Sequence, residues 1–290
     1  MSMEKYYRFA GVELAVSAPS ELMYDEDRHL APFRVDSVIN PHRFTFERVA
    51  QLSAPEGELV TVQGDYVVYG CPGGTIRYIN AVGGDWQSAS LRARHCGHDH
   101  AVEVKESVYP GGITAKTVLN AAMAEHLVLQ QGGVVFHCSY VSYNGKAILF
   151  TAPSGTGKST QAELWRELRS AGIVNGDRAV IRSTDQGILA CGIPFAGSSE
   201  YCHNETLPVA AIVYLAQAPQ TTIRPLGGYE AFRCIWEGCS INTWDKGDIT
   251  RAADLVQQIV EEIPVYYLPC TPDESAVQAV EEVLKGGRGA

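Results

Sequence analysis

The 290-residue sequence has no CxxC pair, no apolar run approaching a membrane span, no fixed-period repeat and no low-complexity tract. Each absence removes a class of protein. Scattered cysteines at 71, 96, 138, 191, 202, 234, 239 and 270, in a chain too long to need stapling, read as reduced thiols. With no signal-peptide pattern in Met1–Ala10, the expected location is the cytoplasm. The short apolar runs exclude membrane insertion by helices. Basic residues are also in deficit, 23 Lys and Arg against 33 Asp and Glu, for a formal charge of −10. Such a surface repels a phosphate backbone, so nucleic acid is not expected as a partner. One small phosphate ligand stays compatible, because a single backbone loop can hold it. What is present is 46% hydrophobic residues, enough for a sizeable core in one large domain or two ordinary ones.

Residues 1–112 read as a β-rich domain. Glu58–Tyr69 has strand composition around a Gly64-Asp65 break, and Thr75–Asn80 and Ala101–Lys105 alternate between Gly/Pro/Asp clusters. Tyr109-Pro-Gly-Gly112 is the expected boundary to a second domain, 113–290. There Thr114–Gln131 has helical spacing, and Val134–Val141 and Lys146–Thr151 read as strands, the latter following the hairpin turn Tyr143-Asn-Gly145. Strands and helices are then expected to alternate in an α/β fold. Thr271, Pro272 and Glu274 mark the start of a last helix running to Gly286-Gly287.

The strongest chemical signal is Ala147-Ile-Leu-Phe-Thr-Ala-Pro-Ser-Gly-Thr-Gly-Lys-Ser-Thr160. An apolar strand feeds a Gly-rich loop and a helix follows at once, with Leu164, Trp165 and Leu168 on its apolar side. This matches a phosphate loop (Walker A) except that Ala152 replaces the first glycine. Ser154, Gly155, Thr156, Gly157, Lys158, Ser159 and Thr160 are the expected ATP contacts. Lys158 reaches the outer phosphates, and the Ser159 hydroxyl ligates Mg²⁺. Asp177 follows Lys158 by 19 residues. The helix carries the chain about 20 Å from the phosphate edge at ~1.5 Å per residue. A neighbouring strand from Ile173, parallel to Ala147–Phe150, is expected to bring it back. Asp177 then holds Mg²⁺ or accepts a proton, the alternative being a solvated turn aspartate.

Val135-Phe-His-Cys-Ser139, Asn144–Thr160 and Asn175-Gly-Asp-Arg-Ala-Val-Ile181 together resemble the catalytic core of HPr serine kinase/phosphatase. That core is related in fold to phosphoenolpyruvate carboxykinase. The likeness covers about residues 130–285 and implies a P-loop core of that type. It matches His137 to a histidine that precedes the loop strand, lifting it from a core histidine to a catalytic candidate. It also implies a paired Asp-Asp, of which this chain has one. Either Gly176 stands for the first member and Asp177 is the second, or Asp177 is the first and Arg178 stands for the second. The HPr-binding signature is not evident, so the acceptor is left as a hydroxyl on a protein, peptide or metabolite.

Two further clusters stand out. Cys191–Glu205 is a polar loop between strand signals, with Gly192, Gly197 and two serines, and Glu200 is its candidate for a second Mg²⁺ or acceptor contact. His95-Cys-Gly-His-Asp-His100 reads as a solvated polar hairpin, with a zinc site as the alternative. Trp165 and Trp236 read as packing residues. The leading expectation is an ATP- and Mg²⁺-dependent kinase acting on a hydroxyl acceptor. A nucleotide-binding regulatory module is the alternative, and a carboxykinase-like enzyme a third. The oligomeric state stays open.

Overall fold

The computed structural model describes residues 2–23, 27–109, 112–197 and 199–286. Pro110 and Gly111 of the expected boundary, Ser198 and Gly287 lie outside them. The chain divides into two compact units, Met1–Leu127 and Val128–Ala290. That division falls within the helical stretch Thr114–Gln131, in the segment Ala124–Gln130.

The first unit holds nine strands: β1 (Ser2–Phe9), β2 (Val12–Pro19), β3 (Arg34–Val35), β4 (His42–Val49), β5 (Leu59–Gln63), β6 (Tyr66–Cys71), β7 (Gly74–Ile79), β8 (Leu91–Cys96) and β9 (Asp99–Lys105). They form one sheet in the order β3-β1-β2-β4-β9-β8-β7-β6-β5. Period-two burial builds it: Phe44 and Phe46 on β4, and Val102 and Val104 on β9, are buried between exposed or half-buried neighbours. The Gly64-Asp65 break is the β5–β6 hairpin turn.

The helical stretch is two helices, α1 (Ala115–Ala122) and α2 (Ala124–Gln130), where the sequence predicts one. Thr114 and Thr117 form a reciprocal capping box at the start of α1. Met123 then turns left-handed at φ 48°, and its N–H closes on the Leu119 and Asn120 carbonyls.

The second unit contains β10 (Gly133–His137), β11 (Ser139–Tyr143), β12 (Lys146–Thr151), α3 (Lys158–Arg169), β13 (Gly172–Asn175), β14 (Arg178–Thr184), β15 (Gly187–Cys191), β16 (Thr206–Gln217), β17 (Arg224–Leu226), α4 (Gly228–Gly238), β18 (Cys239–Ser240), α5 (Lys246–Glu262), β19 (Val265–Cys270) and α6 (Glu274–Gly286). The sheet runs β13-β11-β12-β16-β15-β14-β10-β18, with β19 beside β16 and β17 beside β19. Only the β12–β16 and β16–β19 pairings of this sheet are parallel.

On β12, Ala147 and Leu149 join a core with α4 and α5 through Ile235, Val256 and Ile259. Ile148 and Phe150 join a separate core with Trp165 of α3 and Val277 and Val280 of α6. A strand buried on both faces needs this continuous apolar run, and helices on both faces make the unit a mixed α/β fold.

Five sequence expectations change. Helices do not alternate with strands after α3: β13, β14 and β15 follow one another. Val134–Val141 is two strands broken at Cys138, whose N–H donates to the Asp177 carbonyl at 3.1 Å. β13 is parallel to β12 but not adjacent, because β11 pairs antiparallel with both. Asp273, not Thr271, caps α6, its Oδ1 accepting from the Ser275 N–H at 2.9 Å. On α3 the buried stripe is Lys158, Gln161, Ala162 and Trp165, which leaves Leu168 exposed. No helix among the described residues is long and apolar enough to cross a membrane.

Candidate functional site

β12 ends at Thr151 and six residues, 152–157, link it to α3. Gly157 stands before the helix at φ 119°, a conformation that glycine adopts without strain, and no side chain caps the first N–H groups of α3. Those donors and the positive end of the helix dipole therefore lie open beside a cavity of about 650 Å³. Ser154, Gly155, Gly157, Lys158, Ser159 and Thr160 line it. A Cβ built at Gly155 or Gly157 meets nothing within 4 Å, so the loop wall is bare backbone. Thr156 instead faces an adjoining cavity of about 410 Å³ with Gln161, Gln217 and Cys270.

Lys158 is 8% exposed. Its Nζ donates to the Ala152 carbonyl at 3.0 Å and reaches that of Pro153 at 3.5 Å. Burial lowers its pKa, and the charge of Asp177 opposes that shift. The ammonium is thus held at the base of the loop by weak acceptors that an anion could replace.

Asp177 lies across the same cavity, with His137 and Glu200 also in its lining. His137 ends β10 and Arg178 opens β14, and the two are directly paired across the strands. His137 Nε2 is 3.6 Å from Asp177 Oδ1, an ion-pair distance beyond ordinary hydrogen bonding, and Arg178 Nε is 3.3 Å from Oδ2. His137 first, and Arg178 with it, outweigh burial and hold the Asp177 carboxyl below the usual carboxylate range. Ser240 and the Phe195 ring in turn fix Arg178, by a 2.7 Å hydrogen bond and a 4.7 Å cation–π contact.

The residue that organises this wall is Asn175, which is fully buried. Its Oδ1 accepts from the backbone N–H groups of Asp177 and Arg178, both at 2.9 Å. Its Nδ2 donates to the carbonyls of Phe195 at 2.9 Å and Ile193 at 3.3 Å. The amide thus shapes the Asp177 turn and ties it to the 192–205 segment between β15 and β16. The fit is close. A Cβ at Gly176 would lie 2.2 Å from Ser199 Oγ, and one at Gly197 would lie 2.9 Å from the Asp177 carboxyl carbon. The segment brings Ser199, Glu200 and Tyr201 to the cavity. From the sequence, Asn175 and Ser199 are not site candidates, and Arg178 enters only as the residue standing for a missing aspartate. Their only signal was membership of the Asn175–Ile181 stretch and the Cys191–Glu205 loop.

The histidine hairpin is solvated at its tip, where residues 96–99 are exposed, but its two flanking histidines are buried. His95 and His100 are 8% and 6% exposed, and β4 adds His42, which the sequence did not connect with them. His42 stacks on His98 at 4.3 Å between centroids, and His100 stacks on Phe44 at 4.3 Å. His42 Nδ1 and His100 Nε2 are 3.1 Å apart. That spacing suits a hydrogen bond between the two rings, and among the described residues these histidines are not part of any group of three or more ligand atoms close enough to hold a metal. Burial, then neighbouring histidines, lowers the pKa of His42 and of His100 to about 4, and that of His95 falls well below its ordinary value.

These features define a mixed α/β domain in which a lysine-ended glycine loop faces a carboxylate wall. The family model described as SynChlorMet cassette protein ScmC matches residues 116–285, more than half of the chain, and the protein belongs to that family. No curated protein matches it. Among solved structures, the Hpr(Ser) kinase/phosphatase from Coxiella burnetii is similar over 53% of this chain and 95% of that one, at 12% identity and a TM-score of 0.31. At that score the likeness assigns no roles.

Asn175→Ala removes a buried amide that makes four hydrogen bonds to the backbone and is expected to lower stability by about 3 kcal/mol, read by denaturant unfolding. Asn175→Asp, which keeps the acceptor, should lose less. For the histidines the sign follows from unfolded imidazoles taking up protons that the folded ones refuse. Their stabilising contribution is complete above pH 6.5 and lost progressively toward pH 4. Unfolding followed at Trp86 should show that loss, and His100→Phe should flatten it.

Proposed function

We propose that this protein is an ATP- and Mg²⁺-dependent kinase that transfers the γ-phosphate to a hydroxyl acceptor on a protein, peptide or small metabolite. We also propose that its second unit is a P-loop core of the HPr kinase/phosphoenolpyruvate carboxykinase type. The observation that carries this reading is the shared cavity. The bare, uncapped loop with Lys158 forms one wall, and Asp177 with His137 the other. Phosphoryl transfer needs positive charge around the transferring group and an oriented acceptor more than covalent chemistry, and those are what the two walls offer.

In this reading Ser154–Thr160 cradle the triphosphate. Lys158 leaves the Ala152 and Pro153 carbonyls for the γ-phosphate. Ser159 and Asp177, with Glu200 as a further oxygen ligand, suit a hard divalent cation, which neutralises phosphate charge when bound. A carboxyl held below its usual range stays ionised at neutral pH, so Asp177 serves better as cation ligand and orienting anion than as proton acceptor. The proton of the acceptor hydroxyl then passes to His137, whose ring Asp177 orients. The base is thereby moved from Asp177 to its neighbour.

A nucleotide-binding regulatory module draws on one specific observation. Ser199 occupies the space a side chain at Gly176 would need, leaving a single carboxylate between His137 and Arg178.

The deciding assay is phosphate release and transfer from labelled ATP by the full chain with Mg²⁺. Lys158→Ala should lower kcat/KM by roughly 10²–10³-fold. His137→Gln should lower kcat by at least about 10²-fold. Tight ATP binding without Lys158-dependent turnover would leave the regulatory module.

A further inference from the structure

If the kinase reading holds, the chain already carries an acceptor inside its own site. We infer that Ser199 is phosphorylated by its own chain, an inference that rests on that reading. Three observations carry it.

Ser199 lines the same cavity as Lys158, Asp177 and His137, and its Oγ sits directly against Gly176, the residue before Asp177. The position is built, not incidental. Asn175 pins the 192–205 segment at Ile193 and Phe195, the His203 N–H donates to the Val174 carbonyl at 2.9 Å, and the Ser199 N–H donates to the Ala196 carbonyl at 2.8 Å. The hydroxyl is also correctly wired. Ser199 Oγ accepts from the Tyr201 N–H at 3.2 Å, which leaves its own proton free for transfer.

The other hydroxyls lining the cavity are placed differently. Ser154, Ser159 and Thr160 belong to the loop and helix that cradle the phosphates, on the donor side. The Tyr201 hydroxyl is engaged by Glu163. Among the described residues, Ser199 is therefore the alcohol on the carboxylate wall. A tethered hydroxyl competes with any free acceptor at an effective concentration no dissolved metabolite matches.

In the step, a lone pair of Ser199 Oγ forms the bond to the γ-phosphorus of ATP. The bond from that phosphorus to the bridging oxygen breaks, and ADP leaves with the electron pair. The hydroxyl proton passes to His137. The product is a phosphoserine beside Gly176, in the cavity that Lys158 also lines.

The test incubates the full chain with Mg²⁺ and γ-labelled ATP, without added acceptor, following both free phosphate and label on the protein. Fragment-ion mass spectrometry locates the site. The expected result is label approaching one phosphate per chain, at Ser199. It should form at a rate independent of protein concentration, be absent in Lys158→Ala and Ser199→Ala, and be retained on the new hydroxyl in Ser199→Thr. Lys158-dependent phosphate release with no label, or label at Ser198 or elsewhere, or a rate rising with protein concentration, overturns self-phosphorylation and leaves the kinase reading standing. Neither label nor Lys158-dependent release removes both.

Discussion

One buried amide holds the site together. Asn175 has no exposed surface, so each of its polar atoms must find a protein partner or be left at a cost of about 1–3 kcal/mol. It uses the acceptor to shape the Asp177–Arg178 turn and the donor to hold the 192–205 segment. The position of the carboxylate and that of the segment facing it are therefore not independent. Gly176 and Gly197 are the steric consequence, since their lack of a Cβ lets two backbone segments close on each other around the Asp177 carboxyl and the Ser199 hydroxyl.

The electrostatics follow from this scaffold. The chain has a formal charge of −10, yet a lysine ammonium sits at the base of the glycine loop. Lys158 is buried at the start of α3, whose first N–H groups have no side-chain cap. Across the cavity, the His137 and Arg178 side chains hold the Asp177 carboxyl below the usual carboxylate range. Facing walls of opposite sign suit a ligand that is itself an anion carrying a cation, and the net charge of the chain says little about either wall.

Much of this was legible in the residues, where local chemistry decides. The glycine loop, its lysine and the helix behind it are adjacent in sequence, and the Asn144-Gly145 hairpin turn has the positive φ angles its residues favour. What escaped depended on contacts distant in sequence. Strand order cannot be read from periodicity, so β11 between β12 and β13 was invisible, as was the break at Cys138 that sends β10 and β11 to different neighbours. His42 lies far from the 95–100 hairpin in sequence and meets it only because β4 pairs with β9. The histidines read as wet because the hairpin looked polar, while the sheet turned two of them into a core. Asn175 is an ordinary polar letter until the segment it binds is in place.

The central claim is that the Lys158 loop and the Asp177 wall enclose one anion with its cation. The most direct measurement is a crystal structure of the full chain with Mg²⁺ and a non-hydrolysable ATP analogue. The account predicts the triphosphate along residues 154–160, with Lys158 Nζ moved from the Ala152 carbonyl to the γ-phosphate and the metal between Ser159 and Asp177. A nucleotide bound elsewhere, or one bound with Lys158 still on the Ala152 carbonyl and Asp177 out of reach of its outer phosphate, would contradict it.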